Sequence, residues 1–175
     1  MKPSEIDPKP EFFDRYIHLV GELDLMRALG EYSPVHLFPV PELLEALGDQ
    51  VYAPGKWTVK QIIQHCIDTE RIMSYRALRF ARNDQTNLPG FDENTYADNA
   101  DVSRKTIEQL LNEFKVVRMA TFAQFLHLDE ATLRRVGTAS EVQISVGALG
   151  FVVAGHALHH RKIIDERYLP LLNKP

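Results

Sequence analysis

Three histidines fall within five residues in GHALHHRK, Gly155 to Lys162, inside a run that otherwise reads as a buried apolar helix. On a helix, residues four apart share one face with about 6 Å of rise between them. Two imidazoles so placed, His156 and His160, can close onto one ion at metal–nitrogen bonds of ~2.0–2.1 Å. At about 100° per residue, Leu149, Val152, Val153, Ile163 and Ile164 form one stripe, with His156 and His160 near its centre and His159 well off it. His159 is therefore a rim or solvent-side residue. Two imidazoles in an apolar stripe need partners for both ring nitrogens, which an ion or a hydrogen-bonded core pair can supply. Both readings stand at this point, because a pair four apart also arises by chance in a chain with seven histidines.

A third ligand must come from another helix. His65, in QHCIDTER, lies at the edge of an apolar stripe beside Ile62 and Thr69 and is the candidate, although its position alone does not decide between ligand and ordinary core edge. His18, His36 and His127 sit in polar, Pro-broken or helix-terminal sequence, where surface or capping roles are the default. The single cysteine, Cys66, excludes an internal disulfide and a Cys-rich metal knuckle. Near the centre of its stripe, it reads as a small buried hydrophobe rather than a nucleophile. Three neutral imidazoles would leave a coordination position open on Zn²⁺ and more on Ni²⁺, Fe²⁺ or Mn²⁺, the arrangement of a catalytic site. Such an ion lowers the pKa of a water or thiol that binds it. Affinity for it is expected to fall as pH drops through the imidazole range near ~6.5.

Other residues carry smaller claims. Glu70 and Arg118 occupy the centres of two apolar stripes, which predicts a buried ion pair in preference to a catalytic Glu70. Asp68 falls opposite its stripe and is expected in solvent. In LPGFDENTY the acidic residues and Tyr96 either border a pocket or form an ordered crossover, and the crossover is the favoured reading. Trp57 and Lys56 are expected to pack and cap the start of the second helix.

The elements that must position these side chains are helical. Apolar residues recur at three and four from Thr58 to Asn83 and again through Ile107, Leu110, Leu111, Phe114, Phe122 and Phe125. The spacing predicts long helices at about 22–38, 58–83, 103–127 and 145–167, the first interrupted near Ser33-Pro34 and the last ended by Pro170. Residues 84–101 form a long polar crossover, and no segment makes a convincing strand. An all-α four-helix bundle follows, with its site between facing helices, in a single domain spanning 1–175. A formal net charge of −4 gives no electrostatic reason to bind nucleic acid. No run approaches the ~20 apolar residues of a membrane span, and MKPSEIDPKPEFF lacks the order of a signal peptide. A cytoplasmic protein with no membrane partner is expected.

Taken together, YAPGKWTVKQIIQHCIDTERIMSYRALRFARND, LPGFDENTY and GHALHHRKIIDERYL resemble the DinB-like family of metal-binding four-helix bundles, which is distinct from the lesion-bypass polymerase of similar name. The resemblance covers about 52–169. It implies that His65, His156 and His160 bind a divalent ion, Zn, Ni or similar, the same choice against His159 that helical placement makes. Related families transfer or isomerise with a low-molecular-weight thiol, which implies a thiol-dependent S-transferase acting on a small-molecule substrate. A metal-dependent hydrolase and a non-catalytic metal-binding or interaction protein are the alternatives. No segment identifies a thiol site and no catalytic residue is assigned. Family members are often dimers, and Phe151 and Leu158, off the inward stripe, would supply an apolar patch for a homodimer.

Overall fold

The structure, a computed structural model, describes residues 1–173. Four short helices open it: α1 (Asp14–Leu19), α2 (Leu25–Glu31), α3 (Pro34–Leu37) and α4 (Pro41–Glu45). The long α5 (Val59–Ala81) is followed by a crossover holding the short α6 (Glu93–Asn99), and then by the long α7 (Ile107–Phe125). A turn of helix, α8 (Glu130–Leu133), leads into the hairpin β1 (Val136–Ala139) and β2 (Val142–Ser145), and the long α9 (Val146–Ile163) comes last. The three long helices begin where side chains satisfy their first amides. Thr58 and Gln61 form a capping box on α5, Thr106 and Gln109 one on α7, and Ser145 caps α9. Thr58, rather than Lys56 or Trp57, is thus the cap of α5.

The interrupted helix predicted at 22–38 is two short helices, α2 and α3, parted at the Ser33-Pro34 break that the sequence marks. Pro34 and Pro41 each stand in the first turn of a new helix, where the missing N–H costs nothing and the fixed φ suits the start. These pieces together make the fourth side of the bundle: α1 and α2 pack on α9, α2 and α3 on α7, and α5 lies between α7 and α9 on the far side. The hairpin is a departure from the predicted pattern. Its two-residue turn, Ser140-Glu141, has φ of 52° and 62°, the type I′ geometry that matches strand twist. It pins the crossover, since Leu88 donates its amide to the Thr138 carbonyl and accepts from the Ser140 amide.

Apolar side chains gather in two clusters along the bundle. One holds Leu29, Phe80, Phe125 and Phe151, the other Ile63, Phe114, Ile164 and Tyr168. On α5, α7 and α9 the divide between them falls at Glu70, Arg118 and His156, so a polar layer crosses the middle of the bundle. Phe151 is fully buried in the first cluster and Leu158 is half-buried against the second. The pair from which the sequence predicts a homodimer therefore does not form an outward patch. Among the described residues no helix is long and apolar enough to cross a membrane.

Candidate metal centre

His65 is set by α5, and His156 and His160 by successive turns of α9, the helix packed against it. Their ligand atoms all lie within 4.8 Å of one another. His156 Nε2 is 3.1 Å from His65 Nε2 and 3.1 Å from His160 Nε2. His156 and His160 are buried and His65 is partly exposed. Two ligands bound at ~2.0–2.1 Å to one ion stand about 2.8–3.4 Å apart at right-angled to tetrahedral geometry, so the two 3.1 Å spacings about His156 fit a shared ion.

Hydrogen bonding among the rings fits less well. A ring nitrogen carries either one proton or one lone pair, so His156 Nε2 cannot serve both neighbours fully. His160 Nδ1 is in addition buried without a hydrogen-bond partner among the described residues. Burial pushes the His65 imidazole down to about 4, with the neighbouring His159 adding to the effect. Burial first, then the other imidazoles, hold His156 and His160 well below the ordinary histidine range. All three are neutral near pH 7, the state a ligand needs.

Aromatic rings wall the triad. Tyr16 of α1 meets His156 edge-on at 5.2 Å between centroids, and Trp57 lies 4.8 Å from His65. Trp57 is itself held by Tyr168, whose hydroxyl donates to the Trp57 carbonyl at 2.5 Å. That tyrosine ends the π-helical turn Ile164–Tyr168 which follows α9, a wider turn often found beside functional sites. The triad opens onto a cavity of about 530 Å³, bordered on other sides by Thr69, Arg76, Phe91 and Ser140.

The remaining candidates divide. His159 is partly exposed on the cavity rim, 5.4 Å from the Tyr16 ring. His18, His36 and His127 are exposed and away from the triad. Cys66 is buried, and burial raises its thiol pKa, leaving it without thiolate character. Glu70 and Arg118 form a bidentate pair at 2.9 and 2.8 Å, both about 2–3% exposed. Asp68 is half-buried rather than solvated, accepting from Gln64 Nε2 at 2.9 Å. Of the LPGFDENTY residues, Phe91 and Glu93 border the cavity while Tyr96 packs on Phe91. Sequence reasoning missed Tyr16 and Arg76. Tyr16 sits on a six-residue helix too short to show a period. Arg76 had a signal, since eleven residues after His65 it returns to the same face of α5.

The sequence profile of the DinB superfamily matches residues 38–164. No curated protein matches the chain. Among solved structures, YfiT from Bacillus subtilis, described as a probable metal-dependent hydrolase with an unusual four-helix bundle topology, is similar with a TM-score of 0.72. That likeness covers 84% of this chain and 85% of that one at 19% identity, and it concerns the fold. With the profile spanning all three long helices and the triad they carry, the chain belongs to the DinB superfamily.

Proposed function

We propose that His65, His156 and His160 hold one divalent ion through their Nε2 atoms, and that the protein is a metal-dependent enzyme for a small-molecule substrate. The convergence of three neutral imidazole nitrogens at 3.1 Å contacts carries the reading. When bound, the ion supplies Lewis acidity, lowering the pKa of a thiol or water at an open position. The chain's own part is to keep the imidazoles unprotonated, to orient them against Tyr16 and Trp57, and to limit the water around them. The resemblance to thiol-using families supports S-transfer, and the description of YfiT supports hydrolysis. A cavity of about 530 Å³ at the triad favours either reaction over a non-catalytic metal protein.

Neighbouring substitutions test the ligand set. His160→Ala is expected to lose most of the bound Zn²⁺ or Ni²⁺ and His159→Ala to keep it, each measured as metal content after loading and dialysis. Both remove an imidazole from the same turn, so only the direction of the ring can separate them. A wild-type protein that retains no ion, or a His159→Ala protein that alone loses it, would refute the assignment.

A further inference from the structure

Arg76 has no part in the proposed centre, yet it lines the same cavity. It is 2% exposed. Its contacts are neutral acceptors: the Pro89 carbonyl and the Ser140 hydroxyl, each 2.9 Å from Nη2, and the Met73 sulfur 3.7 Å from Nη1. Among the described residues its Nε makes no hydrogen bond. Burial alone lowers its pKa, with no carboxylate restoring it. Arg118, the other buried guanidinium of α5–α7–α9 packing, is paired bidentately with Glu70. A dry, unneutralised guanidinium is costly, and its planar fork suits an oxyanion.

A polar group without a partner stands between Arg76 and the triad. Thr69 is 5% exposed, borders the cavity, and its Oγ1 has no hydrogen-bond partner among the described residues. His65, Thr69 and Arg76 share one face of α5, and eleven residues of helix separate the ends by roughly 16 Å. The arginine side chain leans back toward the helix N-terminus, shortening that span. Arg15 and Glu93 also border the cavity, but both are exposed, where water and salt weaken their fields.

We infer that the Arg76 end of the cavity is a carboxylate subsite, receiving the anionic end of an elongated small-molecule substrate whose other end lies at the triad. Thr69 Oγ1 would bond to the stretch between. Only the location of the reacting end rests on the proposed metal centre.

The test is binding to metal-free protein of a panel of straight-chain and aryl-alkanoic acids, each beside its primary amide, by titration calorimetry at millimolar ligand. Acids are expected to bind at least about tenfold more tightly than their amides. Arg76→Met should erase that difference with amide binding changed by less than about twofold, and Arg15→Gln should preserve it. Arg76→Lys, which keeps charge without the fork, should retain part of the preference and serves if Arg76→Met does not fold. The subsite is overturned if no acid is preferred, including if none binds, if the Arg76 variants keep the full preference, or if the preference disappears with Arg15. Metal content measured in parallel separates the two readings. Acid preference in a protein that takes up no ion refutes the centre alone, and metal uptake without acid preference refutes the subsite alone.

Discussion

Burial sets the protonation of the three imidazoles before any ion arrives. An unfolded histidine titrates near ~6.5, whereas His65 is held at about 4 and His156 and His160 are well below their ordinary value. Between those values the unfolded chain binds more protons than the folded one, so stability must rise with pH. The metal-free protein is thus expected to have this stability in full above about pH 6.5 and to lose it as pH falls toward 4. The slope is about 1.4 kcal/mol per pH unit for each imidazole inside the window. Urea unfolding of chelator-treated protein at several pH values checks it, and stability flat across the window would show that the rings are already protonated or solvated. The same depression moves the acid limit of metal uptake below the ~6.5 expected from unperturbed imidazoles. At this scale a period placed His156 and His160 inward, His159 at the rim and Cys66 in the core, but it misplaced Asp68 and Phe151, which lie off their stripes and are nonetheless half-buried and buried. Trp57 and Tyr16 were not legible, because what matters about them is the neighbour across a gap, and a single helix holds no record of that.

Among the elements, α1 and α9 approach closely, and Gly155 permits it. A Cβ added there would meet the Tyr16 carbonyl oxygen at 1.9 Å, backbone that has little room to yield. In an open helical position, Gly→Ala gains roughly 0.5–1 kcal/mol. At Gly155 the overlap should outweigh that gain, for a net loss of about 1–3 kcal/mol. Gly30 of α2, with nothing within 4 Å of its added Cβ, is the control and should be stabilised by alanine. Thermal melts of the two variants decide, and a stabilised Gly155→Ala protein would show that α1 does not pack so closely. The long helices were legible to within a few residues because burial on one face imposes the 3.6 period. The hairpin was not. Its strands are four residues each, and Ser140-Glu141 fills a turn whose usual sequence mark is Asn-Gly or Asp-Gly. The side of the bundle built from short helices was legible at its prolines, which restart the helix at Pro34 and Pro41, but not at α1, whose six residues are too few to show a period.

At the scale of the molecule, Arg118 touches every side of the bundle. From α7 it pairs with Glu70 of α5 and donates to the carbonyls of Leu29 and Tyr32 at the end of α2 and of Val153 on α9. Removing one member of the Glu70–Arg118 pair leaves the other charged and dry, so Glu70→Leu or Arg118→Met alone should cost on the order of 3–5 kcal/mol. The double variant should cost less than the sum, measured as a denaturant double-mutant cycle, and additive losses would mean the two groups do not meet. That these residues pair was legible, since each sat at the centre of an apolar stripe. Which helices stand side by side was not, because periodicity orients a helix toward a core without naming its neighbours. The position of Arg118 also bears on the order of assembly. A guanidinium whose acceptors come from three other helices is satisfied only when the last of them arrives, so any arrangement with one side undocked carries a desolvated cation short of partners. Half-built bundles are thereby disfavoured relative to both the open chain and the finished fold. The polar layer that splits the core in two statically is expected to make the two halves form together, with a folding limb without rollover as the kinetic outcome that checks it.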